Sequence, residues 1–518
     1  MTSQADDGFG YRRWWALAVI GTCVLLPFVD MTVVTIALTD IARDIHASSG
    51  QLQWVIASYI LTSAVFMLVV PKFGSIWGYR RTLLAGLAVF GVASAGASLA
   101  HTPALLIVMR AFMGVGASVV IPMGMAIIGL LFQGEEQRKA MGMWTAGVAL
   151  ATPAGPIVGG VVLDNLWWGW IFLINVVMVA VVVPLGLWLL PEARGKSPTT
   201  VDLWSVVLIA VGMAMIVYGL VDATYGWFPA TVWIVLGVGI QAAFLYRQAI
   251  SKNPLMRLAV FRAPRFIWGQ LTLAVTSFAW TGILLVVPMY MRVVVGLSAL
   301  DVGVRLVPFF LLGVLSALVA DRSSRRFGAR WVVVAGLAVF GGGLALLPMA
   351  AARGSDLLVT IALTAAGFAA ITQAPALWLA MSALPPETAA NGSGFVNSFR
   401  HMGGAIGAGV IGSAVASSYV EALPKYSFPL ADSLYSSVAN AQPVAATLGG
   451  SDAAMVRIGA FSAFVHGMTV GVWIAVGAVT AVGLLVCLLP DRATRITQEA
   501  GQTHGAPQGA NVLDSPIA

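Results

Sequence analysis

Charge is scarce in this chain of 518 residues: Asp, Glu, Lys and Arg make up 9% of it and apolar residues 59%. Soluble domains carry roughly 25% charged and 45–50% apolar residues. So little polarity cannot clothe a water-facing surface, which excludes a soluble globular protein and leaves a polytopic membrane protein. Cysteine is nearly missing too. Cys23 and Cys487 both fall in apolar runs, where they read as packing residues and not as a disulfide framework. No Ser/His/Asp set, metal-ligand cluster or phosphate-binding loop occurs at usable spacing, which argues against an enzyme, a bound metal or a resident cofactor. The net charge of +7 does not point to nucleic acid, because the basic residues sit in short connections between apolar runs. The first run, 14–38, is too long for a signal h-region and lacks an A-x-A site, so it is read as retained.

What is present is a series of fourteen apolar runs, from 14–38 to 461–489, each near the ~20 residues that cross hydrocarbon. An even number puts both termini on one side. Twenty Lys and Arg residues lie in the connections on that side and five on the other. This asymmetry predicts a multi-pass protein of the cell membrane with both termini in the cytoplasm. The segment Gly78–Gly91 reappears at Gly328–Gly341 with an identical Ala-Gly-Leu-Ala-Val-Phe-Gly, each copy following a basic inner loop. The repeat predicts an all-α protein of fourteen transmembrane helices laid out as 6+2+6, two pseudo-symmetric halves with a cavity between them. The expected divisions are a cytoplasmic N-terminus (1–13), a six-helix bundle (14–190), a linker with two inserted helices (191–265), a second six-helix bundle (266–489) and a cytoplasmic tail (490–518). Within the second bundle, the long outer loop 421–460 either orders over the cavity mouth or is a plain connection.

The fifth run contains the stretch Gly147–Gly160, with Pro153 and Pro156 inside it. Neighbouring helices must hold such a helix in shape, since prolines remove backbone donors and lipid supplies none. Gly147, Ala151, Gly155 and Gly159 recur every fourth position, so they share a face and invite close approach of a partner helix. A packing motif without transport meaning is the competing reading.

Asp30 is the only acidic residue deep in a predicted span, and such a residue is read as functional by default. Arg110 is the matching cation. At about 1.5 Å per residue both lie roughly 9–12 Å below the outer boundary, so they can pair. The pair is either a fixed salt bridge or a site of proton or substrate coupling. Burial and a nearby guanidinium act oppositely on a carboxyl's proton affinity, so a rearrangement between inward and outward states would move its proton. Secondary candidates are weaker. Asp301 and Arg305, spaced i, i+4, are expected to satisfy each other. His466 is a candidate titrating group or a packing histidine. Arg400 and His401 are candidates for a gate, a lipid anchor or a substrate contact, and Asn175, Gln270, Gln373 and Asn397 are neutral hydrogen-bonding groups whose facing the sequence does not fix.

Several of these stretches resemble the fourteen-helix drug:proton antiporter branch of the major facilitator superfamily, over essentially residues 14–490. Ala151-Thr-Pro153-Ala-Gly155-Pro156-Ile-Val-Gly159-Gly160 is similar to its antiporter motif, with Ala151 in place of the first glycine. Asp30-Met-Thr-Val-Val-Thr-Ile-Ala-Leu38, Arg110-Ala-Phe-Met-Gly114-Val-Gly116, Trp170-Ile-Phe-Leu-Ile-Asn175, and Asn391-Gly-Ser-Gly394 with Gly403-Gly404 resemble further motifs of the branch. The resemblance implies that Asp30 and Arg110 couple protons and that the fifth helix sets the direction of exchange. It also implies that Gly78, Arg80 and Arg81 form the inner-loop gate, although Ser75 stands where the branch has an aspartate.

The expected activity is export of an amphipathic drug or antibiotic, energised by the proton gradient alone. Its partners are a small lipophilic and monocationic or neutral substrate, protons and the lipid bilayer, acting as a monomer. Transport of a specific metabolite, lipid or siderophore, or a nontransporting receptor or scaffold, are the alternatives.

Overall fold

In hydrocarbon a backbone must bond to itself, so spanning segments without a closed barrel are helices. The computed structural model describes residues 10–194, 202–223, 227–251, 258–382, 389–423, 431–448 and 450–488, and every regular element among them is helical. The spans are α1 (Gly10–Asp44), α2 (Ser49–Met67, continued by Val70–Trp77 after a 53° bend), α3 (Tyr79–Ser98), α4 (Pro103–Leu131), α5 (Gly134–Asn165), α6 (Trp170–Leu189) and α7 (Leu203–Asp222). The second half of the chain gives α8 (Trp227–Ile250), α9 (Pro264–Val294), α10 (Ala299–Phe327), α11 (Ala329–Ala352), α12 (Asp356–Ser382), α13 (Ala389–Ala422) and α14 (Gly450–Cys487). With the bent α2 as one span, the helices long and apolar enough to cross a membrane number fourteen among the described residues. The linker 195–201 and the tail from 489 lie outside those residues. Below, the basic end is the end of the bundle holding Arg13, Arg80 and Arg322, and the far end is the opposite one.

The internal repeat is a repeat of structure. Gly78 and Gly328 both have positive φ, 105° and 84°, a conformation that costs glycine nothing. Each closes the preceding helix by donating its N–H to a carbonyl four residues back, Gly74 and Ser324, and so turns the chain sharply into α3 and α11. Eight residues on, Gly86 faces Val119 of α4 and Gly336 faces Ile371 and Thr372 of α12. Both partner helices lose regular α geometry there: α4 is interrupted between Ala117 and Val120, and α12 passes through a 3₁₀ turn at Phe368–Thr372. Side chains on these glycines would have to enter the opposing helix, which explains why the repeated segment keeps them.

Helix starts carry local signals. Ser48 and Gln51 form a reciprocal capping box on α2, and Thr102 and Ser355 cap α4 and α12. The hydropathy reading set α1 to end at 38, yet the helix runs to Asp44. Its polar last turns are held by partners at the far end: Asp40 accepts from Arg292 at 2.6 Å, and Asp44 accepts from Trp168 Nε1 at 2.6 Å. Hydropathy measures the hydrocarbon crossing, and the helix outlasts it. The described part of the long 421–460 segment is ordered over the far end, with short helices at Ala431–Ser436 and Ala441–Leu448 and the first turns of α14. Arg43 donates to Ala439 O and Gln442 Oε1, and Ser49 Oγ donates to Ser436 O.

The inserted pair packs by glycine. Gly212 and Gly219 of α7 lie against the Gly237 and Ala230 carbonyls of α8, so the two helices approach closely. Their basic ends are tied by Arg247, which donates Nε and Nη2 to the Asp202 carboxylate at 2.9 Å each. That bidentate contact, with the Ser205 hydroxyl, draws the Asp202 pKa down to about 2. A carboxyl depressed below its unfolded value of about 3.9 adds stability above that value and loses it as pH falls through the folded one. Asp202→Asn should therefore lower the thermal unfolding midpoint at pH 7, with the deficit shrinking between about pH 4 and pH 2. An equal deficit at both ends of that window would remove the ion pair as its cause.

Candidate functional site

Of the two charges predicted deep in the spans, Asp30 is 2% and Arg110 1% exposed. They meet. Arg110 Nη1 donates to Asp30 Oδ2 at 2.5 Å, while its Nε donates to Val55 O at 3.1 Å. The other carboxylate oxygen, Oδ1, accepts from Asn175 Nδ2 at 2.9 Å. The guanidinium lies over the Tyr59 ring, 4.2 Å from its centroid, a cation–π contact strengthened by the dry surroundings. Four helices of the N-terminal half, α1, α2, α4 and α6, thus converge on one buried carboxylate. Both charges would be costly alone in this setting, and each makes the other tolerable. In the sequence Asn175 was legible as a neutral polar residue closing the Trp170–Asn175 stretch of α6; its rotation toward α1 is a tertiary fact.

The pair borders a cavity of about 470 Å³ between the halves, within the range that holds drug-sized molecules. Arg110 and Tyr59 reach its wall from one half, and Trp280, Phe310, Gln373, Arg400 and His401 from the other. The buried Asp30 carboxylate is thus joined to this wall through one guanidinium, that of Arg110.

On α5 the cavity is lined by Thr145, Val148, Ala149 and Thr152, all toward the basic end. From Ala151 the same helix becomes a seam. Ala151 is buried, Pro153 half-buried, and a methyl group on Gly155 or Gly159 would overlap Thr32 or Val33 of α1. Gly160 faces the Leu300 backbone, and Gly303 of α10 faces the Pro156 carbonyl. One helix thus presents two close faces, toward α1 and across the halves toward α10. Gly147 has open space around it and is no part of the seam, contrary to the four-residue spacing.

Polar contacts reinforce closure at the far end. Asp164 on α5 accepts from the backbone N–H of Ala299 and Leu300, both at 2.9 Å, capping the start of α10 from the other half. Arg292 on α9 donates to both oxygens of Asp40 on α1 at 2.6 and 2.8 Å. Neither acid stood out in the sequence, since each lies near the end of its helix where charge is ordinary.

The inner-loop residues also find a carboxylate. Arg80 and Arg81 lie 3.5 and 3.4 Å from Glu192, which follows α6, and Tyr79 N–H donates to Ala193 O. Ser75 merely donates to Lys72 O. Glu192 supplies the negative charge that position 75 lacks.

The remaining candidates separate. Arg400 and His401 line the cavity. Asp301 and Arg305 do not pair: Asp301 accepts from the Ser298 hydroxyl at the start of α10, and Arg305 reaches across to Asp356 of α12 at 2.5 Å. The first-turn cap holds the acid facing its own N-terminus, which leaves the arginine to a tertiary partner. His466 is exposed on the outside of α14, away from the cavity.

The chain is similar to known proteins over most of its length. The chain is 29% identical over 504 residues to the tetracenomycin C resistance and export protein of Streptomyces glaucescens, covering 94% of this chain and 93% of that one. It is 30% identical over 515 residues to the puromycin resistance protein pur8 of Streptomyces alboniger (98% and 97% covered). It is 32% identical over 408 residues to the multidrug resistance protein Stp of Mycobacterium tuberculosis (77% and 75% covered). Among solved structures, an inward-facing, occupied bacterial homologue of the human lysosomal transporter Spinster superposes with a TM-score of 0.65 at 14% identity, covering 92% of this chain and 97% of that one; at this identity the likeness speaks for the fold alone. The family model of the Major Facilitator Superfamily matches residues 18–408, and the chain belongs to that superfamily.

Proposed function

We propose that the protein is a proton-coupled exporter of small amphipathic molecules across the cytoplasmic membrane. The observation that carries this reading is the Asp30–Arg110–Asn175 cluster, among the described residues the one buried carboxylate site that touches the central cavity through a guanidinium. A carboxylate held by a movable cation binds a proton when the cation leaves, which is the elementary step of coupling. The resistance and export relatives support a drug or antibiotic as cargo. The excess of Lys and Arg at the basic end supports placing that end, with both termini, in the cytoplasm. With the far end closed, the cavity then lies on the cytoplasmic side of the seal, where cargo for export would enter.

The test uses purified protein in liposomes with an imposed proton gradient, an internal pH dye, and a panel of lipophilic drugs and antibiotics. Proton flux that appears only with cargo on the correct side is the expected result. Folded protein giving no flux with any compound, yet binding one of them, would favour a nontransporting receptor.

A further inference from the structure

The chemistry of the cavity wall says more about the cargo than the fold does. Its lining is apolar and hydroxylic, and among the described residues it contains no Asp or Glu. Two guanidinium groups face it. The charge of Arg110 is cancelled by Asp30. Arg400 has no hydrogen bond or ion pair among the described residues, lies on α13 with its side chain on the cavity, and stays protonated at any physiological pH. The wall therefore carries one positive charge with no partner among the described residues, and a lone charge in apolar surroundings is unfavourable until it is paired. Gln373 lines the same space with an Oε1 that has no partner among the described residues. The same cavity has an aromatic part: Trp280 packs 4.5 Å from Phe309 and 6.2 Å from Phe310, centroid to centroid, and Trp280 and Phe310 reach the cavity.

From this arrangement we infer that the cavity takes amphiphiles with a flat apolar body and one acidic group, a carboxylate or an ionised phenol, whose anion sits against the Arg400 guanidinium. The monocationic cargo expected from the single buried acid does not fit, because that acid is already spent on Arg110 and a cation would meet Arg400 unopposed. The planar fork of an arginine matches a carboxylate in two-point contact, which a lysine at the same place does not. The inference deepens the exporter reading and rests on it only for transport; binding can be tested alone.

The experiment measures binding to the full-length protein in detergent by quenching of intrinsic tryptophan fluorescence. The probes share one body: anthracene-2-carboxylate, anthracene-2-carboxamide and 2-(aminomethyl)anthracene, with dodecanoate as an aliphatic acid that stands for lipid. The carboxylate should bind at least ten-fold more tightly than the amine and more tightly than dodecanoate. In Arg400→Gln that preference should vanish, and in Arg400→Lys it should persist in weakened form. Equal or stronger binding of the amine to the wild-type protein overturns the inference, whatever the variants do. Dodecanoate binding as tightly as the anthracene acid overturns the aromatic cargo and assigns the site to a fatty acid. If the carboxylate binds in an Arg400-dependent way but is not moved in liposomes, the exporter reading fails and the anion site stands. If the three anthracene probes are transported without charge preference, the exporter stands and the anion site fails.

Discussion

Replacing Asp30 by Asn should reduce cargo-driven proton flux to the level of empty liposomes. The amide still accepts from Arg110 and still offers an oxygen or a nitrogen to Asn175, so the local shape survives, but it cannot carry a proton. The same change leaves Arg110 as a buried, unopposed charge, and breaking such a pair costs about 3–5 kcal/mol. Asp30→Asn should therefore also lower thermal stability. Adding Arg110→Gln removes the orphaned charge and should restore much of the stability while flux stays absent. That pattern separates coupling from folding. Flux that survives in a folded Asp30→Asn protein would take the coupling role away from this residue. Arg110→Lys is a sharper probe of geometry: one ammonium cannot serve Val55 O through Nε and Asp30 through Nη1 together, so flux should fall although the charge remains.

The second large effect is expected at the far seal. A side chain at Gly303 has to enter the space of the Pro156 carbonyl, and one at Gly160 that of the Leu300 Cα. These are backbone atoms that no rotamer change can move. Gly303→Leu should hold α5 and α10 apart at the far end and cut efflux at least ten-fold. It should also expose the cavity from that side. In a background with Cys23 and Cys487 replaced, a cysteine at Thr35, on the cavity wall, should react with a membrane-impermeant maleimide added at the far side at least ten-fold faster when Gly303→Leu is present. Gly147→Leu, whose site is open, should leave both rates unchanged. Equal labelling in the Gly303→Leu and wild-type proteins would show that the α5–α10 contact does not seal the far end.

The most legible features of the sequence were those set by solvent. Hydropathy located every span, because hydrocarbon imposes its length on each, and the lone deep acid and its matching cation stood out because lipid tolerates neither alone. The repeated glycine segment announced the two halves, since a sharp turn and a close crossing both demand the same small residue. What stayed hidden depends on rotation and on distant partners. Asn175 is one of several neutral polar residues in the spans, and only the docking of α6 on α1 turns it toward Asp30. Arg305 had an acid one turn away and still chose Asp356, because Ser298 had already engaged that nearer acid. Ser75 stands where the branch has an aspartate, and nothing in the sequence pointed to Glu192, more than a hundred positions away, as the acid that lies beside both arginines.

Asp164 joins the halves by gripping main-chain amides at Ala299 and Leu300. A grip on amides does not read the side chains of the gripped residues and excludes only proline, which has no N–H to give, so the contact itself places little demand on which residues stand at the facing positions. Statistical searches for paired substitutions between the halves would pass over it. The link between the two halves at this point is written in only one of them.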